Sequence, residues 1–166
     1  YRAQSGATTF AWQLKPAVAA TKSRPRDLLI LVDTSASQGG EPLKRARHII
    51  NAIDGSSSAG DRIDVWTVNL NDPKTTRSLT DGFQPVNTES VRSAAARLIE
   101  TEYAAGATDL KSGIERALQS FDGDESRNRV IIYLGDGESS ASLQPMTEEI
   151  RVQLGNKIEQ KNVAFF

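Results

Sequence analysis

Apolar residues form two patterns along this chain. At residues 28–32 and 130–134 they are consecutive, in runs too short for an average helix and apolar on both faces. Such runs are typical of strands in a parallel sheet that is covered by helices on both sides. Elsewhere the apolar residues recur every three or four positions, which predicts amphipathic helices at residues 43–53, 88–100, 110–121 and 145–160.

Three further strands are predicted from weaker patterns. Residues 62–70 carry apolar side chains on both faces, up to and including Leu70. Residues 75–83 are more polar and contain the turn signal Asp81-Gly82, so we expect an antiparallel edge strand there. Residues 163–166 begin a last strand.

This alternation of strands and helices predicts an α/β fold with a doubly wound, Rossmann-like, mostly parallel sheet, helices on both faces and one antiparallel edge strand. Right-handed crossovers place the strand with Trp66 on one side of residues 28–32 and the strand with Tyr133 on the other. The winding reverses at this point, and ligands bind such sheets at the carboxyl ends of the strands beside it. We therefore expect Asp33 and Asp136, which follow two of these strands, to face one crevice.

The length of 166 residues suits one domain. We assign residues 26–166 to it and interpret residues 1–25 as an N-terminal extension or linker. Alternating apolar residues at 9–14 predict a short strand, whose Phe10 and Trp12 either pack on the edge of the sheet or belong to a preceding domain. Because the first residue is not methionine, we interpret the chain as a piece of a longer protein.

Charge and composition exclude several functional classes. With 20 basic and 21 acidic residues and no basic run, a nucleic-acid partner has no electrostatic support, and no apolar stretch is long enough to span a membrane. The absence of cysteine excludes disulfides and thiolate metal sites, and the single histidine, His48, excludes a histidine-rich zinc site. We expect His48 on the surface, because it falls off the apolar stripe of its helix. That stripe consists of Leu43, Ala46, Ile49, Ile50 and Ile53.

Asp33, Ser35 and Ser37 follow the first apolar strand at a spacing of two. One carboxylate and two hydroxyls are hard oxygen ligands, which suit Mg²⁺, Mn²⁺ or Ca²⁺ better than Zn²⁺ or copper. The alternative interpretation is a turn or a helix cap, because Asp and Ser side chains commonly bond to nearby backbone groups. These three residues alone do not decide between the two interpretations.

Two later segments favour a metal site. Gly106-Ala107-Thr108-Asp109-Leu110 opens a helix, and Asp136-Gly137 follows the second apolar strand. Together with Asp33-x-Ser35-x-Ser37, in this order, these segments resemble the metal-ion-dependent adhesion site of a von Willebrand factor A (VWA) domain. The resemblance covers residues 26–166.

The resemblance implies the VWA fold and a bound divalent ion, Mg²⁺ with Mn²⁺ or Ca²⁺ as alternatives. It implies that three hydroxyls bind the ion directly and that two carboxylates bind it directly or through water; these residues are Ser35, Ser37, Thr108, Asp33 and Asp136. Three of these five ligands are neutral, so the ion retains affinity for an acidic group. The implied function is therefore an adhesion-type protein interaction in which a partner supplies an Asp or Glu carboxylate. The resemblance also favours a larger multidomain protein, located outside the cytoplasm or at the cell surface, that is not an enzyme.

Some details differ from the common pattern of these domains. Gly135 stands where many members have a hydroxyl residue, and Gln38 replaces the usual methionine, so we expect a shifted metal affinity. The chain also ends before the last helices and strand that such domains usually have. The strand at residues 9–14 resembles the segment that precedes this domain in inter-alpha-trypsin inhibitor heavy chains and their bacterial relatives.

Two other functions remain open at this point. One is a phosphoryl-transfer enzyme with Asp33 as nucleophile and Mg²⁺ held by Asp136, although Ser35 stands where comparable phosphatases carry a second Asp. The other is a VWA scaffold that binds no metal. Glu138 and Asp109 are candidates for the rim of the site, but we favour a solvated loop acid for Glu138 and an interaction at the amino end of its helix for Asp109.

Overall fold

The structure is a computed structural model that describes residues 24–102, 104–139 and 146–166. Within these ranges the chain forms one mixed sheet with the strand order β3-β2-β1-β5-β6, and β4 pairs with β2 off this path. β1, β2, β5 and β6 are parallel to one another, whereas β3 and β4 run antiparallel to β2. The strands are β1 (Arg26–Asp33), β2 (Arg62–Val68), β3 (Arg77–Ser78), β4 (Gln84–Pro85), β5 (Asn128–Leu134) and β6 (Val163–Phe165).

Helices cover both faces of this sheet. They are α1 (Glu41–Ser56), α2 (Glu89–Glu100), α3 (Leu110–Ser120) and α4 (Glu148–Gln160), with a short 3₁₀ turn at Ala36–Gln38. Alternate side chains of β1 point to opposite faces, so Leu28 and Ile30 pack with α1 and α2, while Leu29 and Leu31 pack with α3 and α4. This two-layer core confirms the predicted doubly wound α/β architecture.

The predicted strand at residues 62–70 is too long, since β2 ends at Val68 and Leu70 is 44% exposed. The reason is the register of the sheet: Val68 pairs with Asp33, the last residue of β1, so the chain beyond Val68 has no β1 strand to pair with. Ile49 was likewise predicted in the apolar stripe of α1 but is 41% exposed, because it lies at the margin of that stripe. His48 is exposed, as predicted.

The single antiparallel strand predicted at residues 75–83 is in fact two short ones. β3 pairs with Trp66 and Thr67, and β4 pairs with the other end of β2. Between them Asp81 and Gly82 have positive φ values of 57° and 98°, which interrupts the ladder.

The helix predicted from residue 145 begins at Glu148, after an N-cap at Thr147.

The strand predicted at residues 9–14 lies outside the described residues. In the part of the chain that the structure describes, no helix combines the length and the apolar character needed to cross a membrane.

The position of β1 is what creates a crevice. β2 lies on one side of it and β5 on the other, all three are parallel, and their carboxyl ends therefore meet at the same edge of the sheet. The loops after β1 and β5 are adjacent there, as the predicted reversal of the winding requires.

Candidate metal centre

The loop after β1 presents the first three predicted ligands. Asp33 and Ser35 are buried, whereas Ser37 is exposed. The amide of Ser35 donates to Asp33 Oδ1 at 2.8 Å, a local bond that folds the loop back over the end of the strand. The Oγ atoms of Ser35 and Ser37 lie 3.1 Å apart. The carboxylate and both hydroxyls thus line one side of the loop.

Thr108 comes from the loop before α3 and meets Asp33. Its Oγ1 donates to Asp33 Oδ1 at 2.8 Å, and the side chain is 1% exposed. Two backbone bonds fasten this loop to the loop after β1: Ala105 N donates to Thr34 O at 3.2 Å, and Ala36 N donates to Gly106 O at 3.1 Å. Gly106 turns the chain with a φ of 74°, a conformation that favours glycine.

Asn69 holds the two loops together and was not identified from the sequence. Its Nδ2 donates to Thr34 O and to Ala105 O, both at 2.8 Å, and the residue is 5% exposed. The available signal was its position, because a polar residue directly after an apolar strand lies at the same edge as Asp33.

Asp136, after β5, joins the network through its side chain. Oδ2 accepts bonds from Ser37 Oγ at 2.7 Å and Gln38 Nε2 at 2.8 Å, and Oδ1 accepts one from the amide of Glu138 at 3.0 Å. The bond from Ser37 and the amide of Glu138 hold the pKa of Asp136 below its ordinary value, so this carboxylate is ionised at neutral pH. Gln38 also donates to Ser37 Oγ at 3.2 Å.

Tyr133 is a second site residue that the sequence did not reveal. Its hydroxyl donates to Asp33 Oδ2 at 3.0 Å. Burial, the charge of Asp33 and the bond to Asp33 raise the pKa of this phenol, so it remains a donor at neutral pH. A tyrosine at the end of an apolar strand is ordinarily assigned to the core, and no sequence signal distinguished it.

All five predicted ligands therefore belong to one connected cluster: Asp33, Ser35, Ser37, Thr108 and Asp136. A cavity of about 250 Å³ opens at this cluster. Its lining consists of Ser35, Ala36, Ser37, Gly106, Asp136 and Glu138. Glu138, one of the two rim candidates, is thus among the residues that line this cavity.

Asp109 has a structural role at the amino end of α3. Its Oδ1 accepts the amide of Ser112 at 3.1 Å and its Oδ2 accepts the Ser112 hydroxyl at 2.7 Å, so the carboxylate caps the helix. Asp109 therefore interacts with the amino end of its helix, as predicted.

The donor set of the cluster fits a hard divalent cation. Each hydroxyl has one proton and two acceptor lone pairs; Thr108 and Ser37 give their protons to the two carboxylates, which leaves the hydroxyl oxygens as electron-pair donors. Ser37 accepts bonds from its neighbours in this arrangement, so a cation there would replace one of them. No group of three or more His, Cys, Asp or Glu within the described ranges is arranged for metal binding, so a cation at this cluster depends on the hydroxyls.

Comparisons with known proteins agree with the observed fold. The collagen alpha-4(VI) chain of Mus musculus is 24% identical over 142 residues, which cover 80% of this chain and 6% of the collagen chain. The pilus adhesin SpaC of Lactobacillus rhamnosus GG, in its open conformation, has a similar structure (TM-score 0.57, 15% identity, 72% of this chain and 15% of SpaC). So does the manganese-loaded TRAP protein of Plasmodium vivax (TM-score 0.58, 18% identity, 86% of this chain and 56% of TRAP).

The chain spans less than two thirds of each of these proteins. The family model of the von Willebrand factor type A domain matches residues 26–164, nearly the whole described part of the chain, and the chain therefore belongs to the VWA domain family.

Proposed function

We propose that this VWA domain is a protein-interaction module that binds a divalent cation and, through it, an acidic group of a partner. Mg²⁺ is the favoured ion, with Mn²⁺ and Ca²⁺ as alternatives. The observation that carries the proposal is the hydrogen-bond network that joins five oxygen-bearing side chains from three loops at one edge of the sheet. The residues that would hold the cation are Ser35, Ser37 and Thr108, which would bind it directly, and Asp33 and Asp136, which would bind it directly or through water.

The charge of the site supports a cation. Buried carboxylates are normally paired with a positive charge or coordinate a metal. Asp33 is 1% exposed, yet among the described residues the ion pairs involve neither Asp33 nor Asp136. Two carboxylates without a basic side chain form a site of net negative charge that a divalent ion would compensate.

The hydroxyl ligands support an anionic partner. A bound ion would supply Lewis-acid positive charge at the cavity, and three neutral ligands leave part of that charge uncompensated. An Asp or Glu side chain that reaches the opening between Ser37 and Asp136 would complete the set. The named relatives agree with this role, since one is an adhesin and another was studied loaded with manganese.

The same relatives favour two further parts of the proposal. Each is a longer chain than this one, which favours a module of a larger multidomain protein. A pilus adhesin and a collagen chain also favour a location outside the cytoplasm or at the cell surface. The inter-alpha-trypsin inhibitor heavy chain type, inferred from residues 9–14, stays a prediction.

The test of the metal site is a calorimetric titration of Mg²⁺ into chelator-treated protein, with a matched pair of variants. Thr108→Val and Thr80→Val each remove a buried threonine hydroxyl that donates to a buried aspartate, at 2.8 Å and 2.7 Å, but only Thr108 belongs to the cluster. We expect one saturable site in the wild type and in Thr80→Val, and strongly reduced binding in Thr108→Val. Equal binding by the two variants, or none by the folded wild type, would contradict the proposed site.

The test of the partner chemistry uses Mn²⁺ as the bound ion and glutarate as a model of a carboxylate side chain. Water-proton relaxation reports the water molecules on the ion, and we expect glutarate to reduce it. Pentane-1,5-diol, which has the same carbon chain without the charges, should leave it unchanged. The same response to both compounds would argue against recognition of an acidic group.

A phosphoryl-transfer function has less support from the geometry. A nucleophilic carboxylate needs an accessible oxygen, but Asp33 is 1% exposed and both its oxygens accept hydrogen bonds. A scaffold without metal would show no Mg²⁺ binding in the titration above.

A further inference from the structure

The Tyr133 hydroxyl bridges β5 and the end of β1. Tyr133 pairs in register with Leu31, and Asp33 lies two residues further on the same face of β1. The phenol therefore extends along the sheet past Leu31, the residue with which Tyr133 pairs, and its hydroxyl donates to Asp33 Oδ2 at 3.0 Å. The ring packs against the apolar cluster between the sheet and helices α3 and α4, which fixes the direction in which the hydroxyl points.

Gly135 provides the space that this arrangement needs. A Cβ atom at residue 135 would overlap the Tyr133 ring and would lie 2.7 Å from Asp33 Cβ, closer than such atoms approach in proteins. Any larger residue there would displace the phenol from Asp33 or displace Asp33 itself. The glycine and the tyrosine therefore act as a pair, and Gly135 has no positive φ that would require glycine for another reason.

The phenol completes the set of donors around Asp33. Oδ1 accepts the amide of Ser35 and the hydroxyl of Thr108, whereas Oδ2 accepts the hydroxyl of Tyr133. With donors on both oxygens, rotation of the carboxylate about its Cβ–Cγ bond breaks bonds at each end. Among the described residues, only Oδ1 would keep a donor without the phenol, in a place where the residue is 1% exposed and solvent does not substitute.

We propose that Tyr133 is a positioning residue of the metal centre: through the space left by Gly135, its hydroxyl orients the Asp33 carboxylate for the cation. The inference rests on the proposed function, because it concerns the same site. Residues that hydrogen-bond a metal ligand commonly change metal affinity about 10- to 100-fold when they are removed.

The experiment compares Mg²⁺ affinity, measured by calorimetry, in the wild type, Tyr133→Phe, Gly135→Ala and Gly123→Ala. Tyr133→Phe keeps the ring and removes the hydroxyl, and we expect about 10-fold weaker binding or more. Gly135→Ala should also weaken binding, because its Cβ would displace the phenol or Asp33. Gly123→Ala is the matched control, since a Cβ there meets no atom within 4 Å and binding should not change. Gly135→Ala keeps the test decisive if Tyr133→Phe fails to fold.

A spectroscopic measurement separates positioning from general stabilisation. The chain has three tyrosines; with ¹³C at Cζ, the signal missing from Tyr133→Phe belongs to Tyr133, and we expect it to shift during the Mg²⁺ titration of the wild type. This inference is overturned, and the proposed function is not, if the wild type binds Mg²⁺ without a shift of the Tyr133 signal and Tyr133→Phe binds Mg²⁺ with equal affinity. Failure of the wild type to bind Mg²⁺ would overturn the inference together with the proposed function.

Discussion

Individual side chains of this domain show how burial alters the pKa of an acid. Asp64 on β2 is 1% exposed and accepts bonds from three side chains, Ser78 Oγ at 2.6 Å, Thr80 Oγ1 at 2.7 Å and Trp66 Nε1 at 2.8 Å. Burial raises the pKa of Asp64 above its ordinary value, and these bonds oppose the effect only in part. The contrast with Asp136, whose pKa is lowered, follows from exposure, because at Asp136 the hydrogen bonds outweigh a smaller cost of burial.

The raised pKa of Asp64 predicts a specific pH dependence of stability. The folded protein holds the Asp64 proton more tightly than the unfolded chain does, so this group contributes stability below its ordinary pKa, and the contribution is lost as pH rises through the folded-state pKa. Asp64→Asn removes this titration. We therefore expect the free energy of unfolding of the wild type, measured relative to that of Asp64→Asn by urea denaturation, to fall as pH rises from acidic to neutral.

The comparison with Asp64→Asn is necessary because other acids act in the opposite direction. The pKa values of Asp61, Asp122 and Asp136 are lowered, so the stability they contribute is lost in acid in both proteins. If the difference in the free energy of unfolding between the two proteins rises with pH, or does not change, the pKa of Asp64 is not raised.

The residues of the site were predictable to different degrees. Asp33 and Asp136 were identified because a polar residue directly after a buried strand has a position that topology fixes. Tyr133 and Asn69 were missed because their role lies in which atoms their side chains reach across strands, at 3.0 Å and 2.8 Å. The alternation of apolar residues in a strand predicts the face of the sheet on which a residue lies. It does not predict the direction in which a long side chain extends along that face.

At the scale of elements, replacing two glycines inside helices by alanine is predicted to have opposite effects on stability. Gly113 in α3 faces β2, where a Cβ would overlap the Val68 side chain, whereas a Cβ at Gly155 in α4 meets nothing within 4 Å. Alanine favours a helix interior over glycine by about 1 kcal/mol, so Gly155→Ala should raise the free energy of unfolding by about that amount. Gly113→Ala should lower it, because overpacking typically costs about 1–3 kcal/mol.

Chemical denaturation of the two variants checks this pair, and the double variant Val68→Ala/Gly113→Ala gives the control. Removing the Val68 methyl groups makes room for the new Cβ, so the double variant should be more stable than the sum of the single changes. Additive effects would contradict a direct contact between α3 and β2 at this point.

Elements were predicted well where one pattern dominated. Strands β1 and β5 and helices α2 and α3 were recognised within a residue or two, because consecutive apolar residues and a clear apolar stripe have few alternatives. The region after β2 was predicted less well. β3 and β4 have two residues each, and their pairing depends on the turn at Asp81 and Gly82 more than on side-chain alternation.

At the scale of the whole molecule, the reversal of the winding at β1 explains why residues distant in sequence meet. Ser37 and Asp136 are 99 positions apart yet hydrogen-bonded at 2.7 Å. This juxtaposition was predictable, because the handedness of crossovers leaves few choices. The exact network was not, since backbone bonds between the loops after β1 and before α3 set the distances within it.

The interactions that stabilise the loops of the site are separate from those that stabilise the rest of the fold. At the opposite end of β1, buried Asp27 pairs with Arg62 at 2.7 Å and with Arg127 at 2.6 Å, and the two apolar clusters lie between the ends. None of these contacts involves the proposed ligands Asp33 or Thr108. We therefore expect Asp33→Ala to remain folded without metal, which makes it a usable control for metal-dependent stability.

A cation that joins three loops should stabilise the domain as a whole. Because it binds the folded state and not the unfolded chain, Mg²⁺ at a hundred times its dissociation constant adds about 2.7 kcal/mol. For a chain of this length that corresponds to a rise in Tm of roughly 5–10 °C. Differential scanning calorimetry should show this rise in the wild type, reversed by chelator, and no rise in Asp33→Ala or with an equal ionic strength of KCl. A rise of the same size in Asp33→Ala would mean that Mg²⁺ acts elsewhere on the molecule, since the variant lacks the carboxylate on which Ser35 and Thr108 converge.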